Sequence, residues 1–150
     1  MEKDSYPKMY LYKRIVQAKM FIDEHFAEAI DVNDIADEAY FSKFHFIRLF
    51  KKTYGKTPHQ YLTSVRIEEA KQLLKNEMTV TEVCYAVGFD SVSSFTGLFK
   101  REAGNTPSEY KSQQIALKMQ IKKKPLNFIP GCFAGKFVEH KKSNFQEARS

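Results

Sequence analysis

This 150-residue sequence predicts an all-α fold: two helix-turn-helix subdomains joined by a long connector helix, then an extended C-terminal tail. Three observations predict it. First, the chain repeats itself. Phe50, Lys51, Gly55, Thr57, Pro58 and Tyr61 recur as Phe99, Lys100, Gly104, Thr106, Pro107 and Tyr110, each 49 positions later. Just upstream, Ile35, Ala36 and Ala39 recur as Val83, Cys84 and Val87 after only 48 positions, so one residue has been added within Gly88-Phe89-Asp90-Ser91. A turn absorbs such a change, whereas a helix would rotate its buried face away, so the repeated unit reads helix, turn, helix. Second, Thr57-Pro58-His59-Gln60, Thr79-Val80-Thr81-Glu82 and Thr106-Pro107-Ser108-Glu109 are capping boxes, each opening a helix. Third, apolar residues recur at helical spacing between these signals.

The elements follow in order. A first helix is expected from about Leu11 to Ala27, with Ile15, Ala18, Ile22 and Phe26 on one face. Asp31 caps a short helix through Glu38, and Tyr40-Phe41 form the turn. Ser42 caps a helix reaching Tyr54, which Gly55 stops. Pro58 opens the connector to about Lys75, with Tyr61, Leu62, Val65, Ala70, Leu73 and Leu74 as its apolar stripe. At 1.5 Å per residue this rod is about 27 Å long. Thr79 starts the fifth helix, Asp90 or Ser91 caps a sixth that Gly104 ends, and the last runs from Pro107 to about Lys118. The expected divisions are therefore 11–57, 58–75, 76–118 and a basic, Phe-rich extension, 119–150. Within that extension Pro125 to Val138 lacks a helical period and is expected to lie extended against a surface, within the chain or in a weak dimer contact.

The charge is segregated. The net charge is +6, and residues 118–150 account for all of it, with eight bases and two acids. Residues 1–41 carry nine acids against five bases, whereas residues 42–56 carry Lys43, Arg48, Lys51, Lys52 and Lys56 and no acid. One basic face on an otherwise neutral domain suits a directional anionic partner. In such units the second helix enters the major groove with its N-terminal side chains while phosphate contacts set the register. From the first unit the candidate contacts are Ser42, Lys43, Phe44, Ile47, Arg48, Lys51, Lys52 and Thr57. Phe44 and Ile47 suit thymine methyl groups and Arg48 suits guanine, and packing of Phe44 and Ile47 on a neighbouring helix is the alternative. From the second unit they are Ser91, Val92, Ser93, Thr96, Gly97 and Lys100. There Gly97 stands where Arg48 stands in the first, so helix 42–54 is expected to dominate base readout over helix 91–103.

The stretches IADEAYFSKFHFIRLFKKTYGKTPHQYL, RIEEAKQLL and VCYAVGFDSVSSFTGLFKREAGNTPSEY resemble the DNA-binding domain of the AraC/XylS family of bacterial transcription regulators. The resemblance covers about residues 11–115 and is carried by Ala36, Ser42, Arg48, Phe50, Gly55, Pro58, Tyr61, Arg66, Ala70, Gly88, Phe89, Phe95, Phe99, Gly104, Pro107 and Tyr110. It implies sequence-specific regulation of transcription, with one monomer reading two successive major grooves of a promoter or operator duplex and RNA polymerase as a second partner. Gly97 and Ser94 depart from the family pattern, which has an arginine and an aromatic there. With ten residues ahead of the first helix in this sequence, the ligand-binding or dimerisation domain that most members carry is not expected.

Other functions are disfavoured. His25, His45, His59 and His140 have no metal-ligand spacing with one another or with Cys84 and Cys132, and no Gly-rich phosphate loop is present, so neither an enzyme nor a cofactor is expected. Cys132, in Pro-Gly-Cys-Phe, lacks the flanking His and Arg that a methyl-accepting site wants. Cys84 reads as a small core residue. No apolar run is long enough for a membrane helix and the charged N-terminus lacks a signal core, so a cytoplasmic, nucleoid-associated protein is expected. The alternative function is a protein-interaction module that works through the tail, with weak or non-specific DNA binding.

Overall fold

A computed structural model describes residues 5–38 and 42–123 of the chain. The expected Tyr40-Phe41 turn and the tail beyond 123, with Cys132 and His140, lie outside the described residues. Seven helices make up the described part: α1 (Ser5–His25), α2 (Val32–Glu38), α3 (Lys43–Tyr54), α4 (Pro58–Leu74), α5 (Val80–Ala86), α6 (Val92–Ala103) and α7 (Pro107–Lys123). Two differ from expectation in length. α1 starts six residues before Leu11, and α7 runs five residues past Lys118. No Pro or Gly stands at 119–123 to stop the last helix.

The helix ends follow the caps. Thr57 and Thr79 form complete capping boxes with Gln60 and Glu82. At α7, Glu109 N–H donates to Thr106 Oγ1 at 3.2 Å and Thr106 N–H donates to Glu109 Oε2 at 2.9 Å. The Thr106 bonds hold the Glu109 carboxyl below its usual range. Gly55 and Gly104 close α3 and α6 in the left-handed region.

Residues Met1–Tyr110 make one compact unit and Lys111–Ser150 another. The described part of the second is the continuation of α7. The first holds two hydrophobic clusters. One comprises Ile15, Ala18, Ile22, Ile35, Ala36, Phe46, Phe50 and Leu62. The other comprises Ile67, Ala70, Leu74, Val83, Cys84, Val87, Phe89, Phe95 and Phe99. The repeat therefore reaches further back than the sequence suggested. Ile15, Ala18 and Ile22 of α1 match Ile67, Ala70 and Leu74 of α4, all 52 positions later and all buried. Each copy of the repeat is thus three helices, and α4 serves twice. Its N-terminal half covers the first cluster with Tyr61 and Leu62, and its C-terminal half is the first helix of the second. The expected α4 stripe named Val65 and omitted Ile67. Ile67 is the buried one, and Val65 is half-exposed, because the stripe shifts face where α4 passes from one cluster to the next.

Three contacts tie the two clusters together. Arg66 of α4 donates from Nε to the Phe26 carbonyl at 2.7 Å and from its terminal amine to the Glu28 carbonyl at 2.8 Å. Its guanidinium also stands over the Phe89 ring, 5.6 Å from the centroid. Burial lowers the Arg66 pKa, an effect that the Asp90 charge opposes. Gly88, at φ +95°, approaches so closely that a Cβ would stand 2.9 Å from the Phe26 and Ala27 carbonyl oxygens. Phe26 packs against both clusters. On the other side of α4, Tyr61 donates its hydroxyl to Asp23 at 2.7 Å, and Asp23 also accepts from Lys19 at 2.8 Å. The bond to Asp23, with a further interaction with Tyr61, raises the Lys19 pKa above the ordinary lysine range.

Candidate nucleic-acid interface

The candidate interface is built from the outward faces of α3 and α6. In α3, Phe46 and Phe50 are buried and Leu49 packs beside them, which turns Lys43, Phe44, Arg48, Lys51 and Lys52 towards solvent. Phe44 is 75% exposed, unusual for a side chain of that size. Ile47 differs from the rest of the expected outward set. It is half-buried and packs against the first cluster, because it sits one position from Phe46 and three from Phe50 and so lies at the edge of the buried stripe. Of the two apolar candidates, Phe44 presents itself fully and Ile47 presents only an edge.

The caps of the two helices differ as well. Ser91 Oγ accepts from Ser94 N–H at 3.1 Å, fixing the start of α6. Ser42 has the same extended backbone but makes no side-chain cap bond, and its side chain is exposed at the tip of α3. Thr57, expected among the contacts, is half-buried and committed to capping, with its hydroxyl oxygen accepting from Gln60 N–H at 3.2 Å. Its remaining capacity for an outside partner is the hydroxyl proton and the oxygen's second lone pair.

The α6 face carries fewer bases than that of α3. Ser93, Gly97 and Lys100 are exposed, and Val92 and Thr96 are half-buried, Val92 against the second cluster. A Cβ on Gly97 would meet nothing within 4 Å, so the position is free space on the helix surface. Beside Lys100, Arg101 is also exposed.

One residue that sequence reasoning passed over stands between the two faces. His59, in the first turn of α4, is exposed and lines two grooves. One, about 330 Å³, it shares with Lys43, Asp31 and Arg66. The other, about 200 Å³, it shares with Ser91 and Ser94 at the start of α6. Its position directly after the Thr57-Pro58 cap was the available signal, since a first-turn residue points back beyond the helix start. Another of the histidines, His25, bonds Glu28 at 2.9 Å and packs on the Phe21 ring. Cys84 is buried in the second cluster and its thiol is pushed up by burial. Among the described residues no group of three or more His, Cys, Asp or Glu could hold a metal ion, and no helix is long and apolar enough to cross a membrane.

A family model described as a helix-turn-helix domain matches residues 35–113. Among curated proteins, the probable transcriptional regulator LumQ of Photobacterium leiognathi is 35% identical over 91 residues, covering 60% of this chain and 37% of LumQ. The bifunctional transcriptional activator/DNA repair enzyme AdaA of Bacillus subtilis (strain 168) is 32% identical over 92 residues, 61% of this chain and 44% of AdaA. The chain thus spans roughly two fifths of the length of these relatives. Among solved structures, the DNA-binding domain of the global transcriptional factor AdpA, in complex with a target DNA, superposes with a TM-score of 0.67 at 32% identity. That match covers 71% of this chain and 96% of the AdpA domain. With two three-helix units about a shared α4, and with a family model that matches more than half of its length, the chain belongs to the AraC family of helix-turn-helix transcription regulators.

Proposed function

We propose that this chain binds duplex DNA sequence-specifically and regulates transcription, laying α3 and α6 into successive major grooves with α3 leading the base readout. The observation that carries this reading is the tip of α3, where an exposed Phe44 shares one face with Lys43, Arg48, Lys51 and Lys52. Arg48 offers guanine a two-pronged donor and Phe44 offers the thymine methyl an apolar surface. One turn of helix separates them, so the two bases they read lie within about two base-pair steps. Ser42, Lys51, Lys52 and the edge of Ile47 complete the first contact, with Thr57 at its margin. Ser91, Val92, Ser93, Thr96, Gly97 and Lys100 form the second, which adds phosphate grip and shape more than discrimination. The 17 residues of α4 span about 25 Å, and helix offsets at both ends bring the two reading helices to the ~34 Å repeat of the groove.

The proposal includes the division into reading units 11–57 and 76–118 about the connector 58–75. It places the protein with the nucleoid in the cytoplasm, at promoters where RNA polymerase is its partner, and gives it no catalytic step. Selection of binding sites from random duplexes tests it. The expected result is two half-sites about one helical turn apart, with more information in the one under α3. Equal information in both half-sites would overturn the asymmetry, and recovery of no sequence at all would overturn specific binding.

A further inference from the structure

The outer face of α1 has no place in the proposed DNA contact. Opposite the buried Ile15, Ala18 and Ile22, a second apolar ridge runs along the same helix. Met9 is 75% exposed, Tyr12 43%, Val16 47% and Met20 53%. Their spacing of three, four and four residues sets them on one side of the helix. Next to the ridge, Arg14, Gln17, Met20, Phe21 and Glu24 line a shallow groove of about 310 Å³.

Charge on this face is ordered along the axis. Lys13 and Arg14 stand in the N-terminal half, Asp23 and Glu24 in the C-terminal half. Asp23 is engaged by Lys19 and Tyr61, whereas neither Lys13 nor Glu24 takes part in an ion pair with another described residue. An acidic partner would satisfy only one half of such a face and a basic partner only the other. An antiparallel copy of the same helix satisfies both, because a two-fold axis repeats each contact twice.

We infer that the outer face of α1 is a self-association surface that pairs antiparallel with α1 of a second copy of this chain. Setting Val16 against Met20 of the second copy brings Lys13 within one residue's rise, about 1.5 Å, of lying opposite its Glu24. The reciprocal pair forms by symmetry, and Met20 of each copy enters the groove of the other. The face is one helix wide and about 24 Å long from Met9 to Glu24, well below a standard stable interface, so pairing is reversible and depends on concentration.

Sedimentation velocity of the full chain tests this, over about 10 µM to 1 mM, the range in which a small interface assembles. The unmodified chain is expected to shift from monomer to dimer across that range. Lys13→Glu and Glu24→Lys, each alone, place like charges at both symmetric contacts and are expected to weaken dimerisation by about tenfold or more. Mixing the two variants restores opposite charges at both contacts, so a heterodimer of about the original affinity is expected. Both positions lie outside the reading helices, so helix content and binding to duplex DNA are expected to stay unchanged and certify folding. A chain that stays monomeric, single variants that dimerise as before, or a mixture that gains nothing would each overturn the inference.

Discussion

Arg48 and Phe44 illustrate how one residue's neighbours decide its role. Both face outward because Phe46 and Phe50, at fixed helical offsets, are held in the first cluster. Arg48→Ala is expected to weaken specific DNA binding by about 1–3 kcal/mol and to relax discrimination at one base pair, read by titration at fixed salt against specific and scrambled duplexes. Lys52→Ala is expected instead to weaken all duplexes alike and to reduce the salt slope by about one. Their outward placement was legible from spacing. That of Ile47 was legible only in part. A stripe position and an edge position differ by 100° of helix rotation, and spacing cannot say how far a neighbouring helix leans over the edge.

At the scale of the element, α6 and the capped helix starts make separable contributions. Gly97 sits inside α6 with open space around it, so Gly97→Ala is expected to stabilise the fold by about 1 kcal/mol, measured as a higher urea midpoint. Gly97→Arg fills the same space with a guanidinium and is expected to tighten DNA binding and sharpen the second half-site. The caps carry a pH signature. Thr106 holds the Glu109 carboxyl below its usual range, and the Asp34 and Asn33 amides do the same for Asp31. A carboxyl with a depressed folded pKa stabilises above its unfolded value, near 4, and loses that contribution as pH falls through the lower folded one. Acid titration of helix content is therefore expected to show fraying below about pH 4, and Glu109→Gln is expected to remove its share of that fraying. The capping boxes were fully legible in the sequence because their partners are three residues apart.

At the scale of the whole molecule, what joins the two clusters is the Arg66, Gly88 and Phe26 contact. Gly88→Ala meets backbone oxygens and a left-handed φ together, and is expected to cost more than about 2 kcal/mol. An equivalent change at Gly55, where a Cβ meets nothing within 4 Å, is expected to cost only the conformational part, about 1–2 kcal/mol. Thermal unfolding of the two variants side by side measures the difference. The family resemblance singled out Arg66 and Gly88 without a reason for them, since their partners are backbone carbonyls 38 or 40 and 61 or 62 positions away. Ile67 was missed for a related cause. The match of Ile15, Ala18 and Ile22 to Ile67, Ala70 and Leu74 uses a third offset, 52, distinct from the 48 and 49 of the other repeated residues.

The double service of α4 fixes rotational phase. Leu62 faces one cluster and Ile67 the other, so a single residue inserted between them would turn the second unit by about 100° about the α4 axis. A two-turn insertion of seven residues would bring the angle back to within about 20° yet lengthen the rod by about 10 Å and pull Arg66 off its carbonyls. Neither change leaves the two reading helices in step. On DNA the same coupling runs in reverse: each base pair added between the half-sites rotates them apart by about 35°. The chain has no slack to follow, so binding sites for this protein are expected to hold one spacing and to lose affinity when a single base pair is inserted.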